Sequence, residues 1–158
     1  MLKKYKPYII SVIIALAVGG LSAAVTNSGM DAYSSFNQPP LSPPPQVFPI
    51  VWTILFTLMG IGAALVYIRK NAKPDAVRLA LIVYAVNLAV NFLWSVIFFN
   101  MQAFLFAFIW ILLLIAVIVA MIILFKKISP IAAYLQIPYL LWVTFAAYLN
   151  LAVYLLNR

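Results

Sequence analysis

Apolar residues run almost unbroken five times along this chain, each time over about twenty positions, and polar residues collect in the gaps. Crossing roughly 30 Å of hydrocarbon takes a helix of about 20 residues, and only a helix or a closed barrel satisfies its own backbone there. The pattern therefore predicts an all-α membrane protein, a single bundle of five transmembrane helices over residues 1–158, with spans at 8–28, 47–68, 79–99, 103–125 and 131–156. The polar, Pro-rich stretch 29–46 leaves the membrane as an outer loop, with five prolines in the seven residues Pro39 to Pro45. Such a stretch favours a stiff polyproline conformation; it reads either as a lid over the bundle or as a plain tether. Only Asn100, Met101 and Gln102 part the third and fourth runs, so these form a tight antiparallel hairpin. Pro49 falls in the first turn of the second span and Pro130 opens the fifth. Pro138, inside that last span, predicts a bend just before Trp142.

Charge orients the bundle. Cytoplasmic loops are enriched in Lys and Arg. With the N-terminus inside, Lys3, Lys4, Lys6, Arg69, Lys70, Lys73, Arg78, Lys126 and Lys127 all fall on the cytoplasmic face and Arg158 alone lies outside. An even number of spans destroys that asymmetry, so five spans and a cytoplasmic N-terminus support each other. The start of the chain imitates a secretory signal, but its apolar stretch from Tyr8 to Val25 is longer than a signal core and reads as a retained first span.

Composition narrows the chemistry. The chain is 68 % apolar and 8 % charged, where soluble domains are roughly a quarter charged. Its net charge of +8 flanks apolar runs and forms no aromatic-interleaved patch, so nucleic acid is not an expected partner and the bilayer is. There is no Cys and no His, and Asp31 and Asp75 are the only carboxylates, so no metal site, nucleophile or paired general acid and base is predicted.

The third span carries Asn87, Asn91, Trp94 and Ser95 at i, i+4, i+7 and i+8, one face of a helix. These side chains either hydrogen-bond between helices or form the polar wall of a pocket. Distance from each span end, at 1.5 Å per residue, sets depth. On that scale Trp52 and Phe56 of span two, Trp94 and Phe98 of span three, Phe104, Phe106 and Trp110 of span four, and Trp142, Phe145, Ala146, Leu149 and Asn150 of span five converge on the outer half, beneath the Pro-rich loop. A mostly aromatic hollow with a few amides suits a large flat apolar ligand. Phe98, Phe99, Phe104 and Phe108 either join it or face lipid. Tyr5, Tyr8, Tyr67 and Tyr154 sit at headgroup depth as interfacial anchors. Gly19, Gly20, Ala23 and Ala24, and Gly60, Gly62, Ala63 and Ala64, are small-residue patches that pack inside the bundle or form a seam with a second copy.

The segments P-P-L-S-P-P-P-Q-V-F-P-I-V-W-T-I-L-F at 39–56, N-F-L-W-S at 91–95 and P-Y-L-L-W-V-T-F-A-A-Y-L-N at 138–150 resemble the tryptophan-rich sensory protein/translocator protein (TspO) family. The resemblance implies a five-helix, commonly homodimeric receptor or sensor in a bacterial plasma membrane, binding porphyrins such as protoporphyrin IX and, in some members, isoquinoline carboxamides. It also implies two alternatives, light-dependent porphyrin breakdown and transport of porphyrin or sterol. No cofactor is required; porphyrin is the ligand. Carried over by motif, the ligand site comprises Tyr33, Trp52, Phe56, Asn87, Asn91, Trp94, Trp142, Phe145, Ala146 and Asn150, with Trp52 and Trp142 the residues available for photo-oxidative chemistry. The chain departs from the family at Gln46, where Trp is frequent, and at Phe56, Asn87 and Val96, where Tyr, Gln and Pro are frequent. Leu151 stands in place of the Tyr of the animal cholesterol motif, and the shifted pattern Leu151, Tyr154 and Arg158 meets only a loose sterol expression of little weight, so the residues do not favour sterol binding.

Overall fold

A computed structural model describes the backbone of residues 2–158 and the side chains of residues 4–158. Lys3, counted above among the inner basic residues, lies outside the described side chains. The described residues form α1 (Leu2–Tyr33), α2 (Val47–Tyr67), α3 (Pro74–Ser95) continued by a π-helical turn (Val96–Asn100), α4 (Phe104–Ile128), α5 (Pro130–Tyr134) and α6 (Ile137–Leu156), with no strand among them. Five of these helical stretches are long and apolar enough to cross a membrane, α5 and α6 together making the fifth.

The helices form a ring in which α1 packs on α2 and on the outer end of α3, α3 on α4, and α4 on α5 and α6, while α2 closes the circle against α5. The half of the bundle nearest the basic loops is filled by close apolar packing: Met59, Val66, Leu114, Ile118, Met121 and Phe125 are all fully buried. Two glycines explain how close the helices come there. A Cβ on Gly60 would lie 2.6 Å from Cα of Val12 in α1, so a side chain there would force α2 off that neighbour, and one on Gly62 would displace the amide of Gln136. The small-residue patch of α2 thus packs inside the bundle.

Three boundaries differ from the sequence reading. α1 continues to Tyr33, five residues past its predicted end, so the connecting loop is 34–46. Polarity ends the apolar run but not the helix: Thr26 satisfies its hydroxyl on the Ser22 carbonyl within the helix, and Gly29 packs directly on the backbone of Phe99. α3 begins at Pro74, five residues before the predicted start of the span, with Pro74 and Asp75 in its first turn. The fifth span is interrupted, and the break lies at Leu135–Gln136, earlier than the predicted bend. Pro138 is the second residue of the new helix α6, where its missing N–H leaves no ladder bond unmade. Ser129 accepts from the Ala132 N–H at 3.4 Å to cap α5.

The loop 34–46 crosses to the far end of the last helix. The Asn37 N–H donates to Oδ1 of Asn157 at 3.0 Å and Nδ2 of Asn157 returns a bond to the Asn37 carbonyl at 3.1 Å. The Tyr148 hydroxyl donates to the Pro40 carbonyl at 2.9 Å. Phe36 packs edge-on against Phe104 of α4, ring centres 5.1 Å apart. The loop therefore covers the outer end of the ring with both of its flanks tied down.

Candidate functional site: an aromatic cavity under the outer loop

Within the outer half the ring of helices does not close on itself. It surrounds a partly open cavity of about 120 Å³ walled by Gly19, Ser22, Ala23, Thr26 and Met30 from α1, Phe48, Pro49, Trp52 and Phe56 from α2, Asn91, Trp94, Ser95 and Phe99 from α3 and its π-helical turn, and Trp142 and Ala146 from α6. Small residues along one face of α1 create the room; large rings on the other three helices define the walls. A smaller hollow of about 30 Å³ adjoins it, lined by Tyr33, Phe98, Leu149 and Asn150 and sharing Trp94, Phe99 and Ala146 with the first.

Of the residues singled out from sequence, Trp52, Phe56, Asn91, Trp94, Trp142 and Ala146 meet on the main cavity, and Tyr33 and Asn150 on the adjoining hollow. Asn87 and Phe145 do not line either. Asn87 is fully buried, with its Oδ1 taking the hydroxyl proton of Tyr139 at 2.9 Å. Phe145 lies on the membrane side of Trp142, 5.7 Å between ring centres.

The predicted convergence also errs in one helix. Phe106 is exposed, and Trp110 donates its indole N–H to the Val90 carbonyl at 2.9 Å in the seam between α3 and α4. Residue height along a span places these rings at the cavity's level, but the turn of the helix points them away from it. α1 stands in their place. Its signal, Ser22, Thr26 and Met30 at four-residue intervals, is in the sequence but reads as an unremarkable small-residue run.

Two buried polar arrangements hold the walls. In the first, Asn91 Nδ2 donates to the Tyr139 hydroxyl at 2.9 Å and that hydroxyl donates onward to Asn87, so one tyrosine fixes both amides of the α3 stripe. Tyr139, fully buried, is the principal structural residue that the sequence reading passed over. In the second, Asn150 Oδ1 accepts from the Trp94 indole at 3.1 Å while its Nδ2 donates to the Phe104 carbonyl at 2.8 Å. Trp94 is locked further by stacking on Phe98, 5.4 Å apart and 26° from parallel. The widened turn Val96–Asn100, in which the Met101 N–H reaches back to the Val96 carbonyl at 3.0 Å, carries Phe98 inward to 3 % exposure.

The four tryptophans consequently fall into two kinds. Trp94 and Trp110 are anchored through their indole N–H groups. Trp52 and Trp142 make no such bond among the described residues, are half-buried, and both line the cavity. Trp52 leans on Phe56 at 5.6 Å and on Tyr139 at 6.2 Å, and Trp142 on Phe48 at 5.9 Å. Their indole donors are available to a guest.

Fold and site together define a multi-pass integral membrane protein that surrounds an aromatic, sparsely polar hollow beneath a tied outer loop. Sequence comparison gives the family. The TspO/MBR family model matches residues 11–156. The chain is 37 % identical over 145 residues to the tryptophan-rich protein TspO of Chlorobaculum tepidum, covering 91 % of each chain. It is 35 % identical over 144 residues to protein CrtK of Rhodobacter capsulatus, covering 91 % of this chain and 89 % of that one. It is 32 % identical over 133 residues to the human translocator protein, covering 84 % and 79 %. The chain belongs to the TspO/MBR family, and its bacterial relatives support a bacterial membrane as its location.

Proposed function

We propose that the protein is a membrane receptor or sensor that holds a porphyrin, protoporphyrin IX or a similar flat apolar molecule, in the cavity beneath the loop 34–46. The observation that carries this reading is the pair Trp52 and Trp142, two cavity-lining rings whose indole N–H groups have no acceptor among the described residues, set against the fixed polar edge of Asn91 and Ser95. Ring faces stack on a planar guest, and indole donors reach its peripheral carboxylates, a task no cation lining the cavity performs.

The cavity's 120 Å³ is below the roughly 300–1,000 Å³ of sites for drug-sized ligands, so a macrocycle binds by displacing the unanchored rings rather than by filling a preformed void. Trp94, bonded and stacked, stays as the fixed wall. Titration of the protein in lipid nanodiscs with protoporphyrin IX is expected to give saturable binding that Trp52→Ala and Trp142→Ala each weaken by about tenfold, in the range of the 0.5–1.5 kcal/mol of an aromatic contact plus lost burial. Wild-type affinity in both variants overturns the reading.

A further inference from the structure

On the membrane side of Trp142 the structure carries a second concavity. α2 packs closely on α5 but stands off from α6, because the chain breaks at Leu135–Gln136 and restarts as a separate helix. Near mid-depth this gap holds an apolar groove of about 420 Å³, open to the bilayer, walled by Ile54 and Leu55 on one side and Pro138, Leu141 and Phe145 on the other. Its floor is Trp142, which is at the same time a wall of the inner cavity. One half-buried ring, with no hydrogen bond among the described residues to hold it, is thus a wall common to a lipid-facing groove and the inner hollow.

The outer end of the bundle is built differently. There the loop is held by the Asn37–Asn157 pair and by Tyr148, and the rings below it, Trp94 and Phe98, are stacked and bonded in place. A planar apolar molecule partitions into the membrane, onto which the groove opens, and not into water. We infer that the groove between α2 and α6 is an entry site, which transiently takes the apolar ring face of a membrane-dissolved ligand from the bilayer, and that Trp142 swings to pass it into the cavity. This rests on the reading of the cavity as a ligand site, and it commits to the same molecule as occupant of both places because the two share a wall.

The test uses full-length protein in phosphatidylcholine vesicles with protoporphyrin IX as the probe and two readouts. Ile54 and Leu141 are exposed on the groove's rim, 54 % and 65 %, and line nothing inside the bundle, so Ile54→Phe with Leu141→Phe fills the groove without touching the cavity. A doorway changes rates without changing the end states, so this variant is expected to slow porphyrin association and dissociation together by about tenfold and leave affinity within about threefold of wild type. Trp142→Ala is expected to accelerate both. Wild-type rates in the filled variant overturn the inference.

The second readout needs no porphyrin binding. Dibrominated acyl chains quench tryptophan on contact, and the quenching lost in Trp142→Phe isolates that ring's share. That share is expected to be large in wild type, to drop when Ile54 and Leu141 are both Phe, and to drop when porphyrin is added. A Trp142 share of zero overturns the inference, as does one left unchanged by porphyrin that binds saturably, which identifies a resident lipid chain as the groove's occupant. Absence of saturable porphyrin binding by wild type, with normal Trp142 quenching that the filled variant abolishes, removes the porphyrin reading while leaving the groove as a site for another membrane-dissolved ligand.

Discussion

At the scale of single residues, the bundle distinguishes side chains that fix the site from side chains that remain available to it. Tyr139 belongs to the first group. Its hydroxyl both accepts and donates, and its loss leaves the Asn91 donor and the Asn87 acceptor without their shared partner in a buried setting. Hydrogen bonds between membrane helices contribute about 0.6 kcal/mol on average and up to about 1.7, so Tyr139→Phe is expected to destabilise the fold by that order in detergent unfolding. Because Asn91 then loses its orientation, porphyrin affinity should fall as well; a variant of unchanged stability and affinity would show that the tyrosine holds nothing. The amide stripe was legible from sequence as a choice between glue and pocket wall. It proves to be both, since Asn91 lines the cavity through one edge and holds Tyr139 through the other. No spacing rule could have supplied that division, because the partner lies 48 residues away.

Among elements, the hydropathy of the chain located all five spans, since the bilayer's thickness writes itself directly into run length. It was less informative at their ends. Thr26, Asn27, Ser28 and Asp31 read as an exit from the membrane, and they do leave the apolar run, but leaving hydrocarbon does not end a helix. The break in the last span was displaced for a related reason: a proline at the second position of a helix costs nothing, so the chain places the discontinuity before Pro138 and uses the proline as a start. The turn of each helix about its own axis was the least legible property. Depth put Trp110 beside Trp142, and only packing shows Trp110 facing α3.

Helix approach gives a further prediction at this scale. A Cβ at Gly60 meets the α1 backbone, whereas one at Gly20 meets nothing within 4 Å. Gly60→Val is therefore expected to cost about 1–3 kcal/mol by forcing α1 and α2 apart, and Gly20→Val less than about 0.5. Equal melting temperatures for the two variants would contradict the helix arrangement.

For the molecule as a whole, the inner half is closely packed apolar core and the outer half is rings around a void. That division matches the charge pattern, with the rigid half nearest the basic loops. The chain has no cysteine, so single substitutions map its orientation directly. Asn71→Cys, in the basic connection, is expected to react with a membrane-impermeant maleimide only in inverted vesicles, and Gln38→Cys, in the outer loop, only in right-side-out ones. The reverse pattern would place the cavity in the inner leaflet and reverse the side from which the ligand enters.

A structure of the protein with protoporphyrin IX bound in a lipid environment decides whether the cavity is the ligand site. The macrocycle is expected between α1, α2, α3 and α6, with Trp52 and Trp142 moved from their present positions and Trp94 still bonded to Asn150. A porphyrin lying outside the ring of helices, with the cavity and both free indoles unchanged, would contradict it.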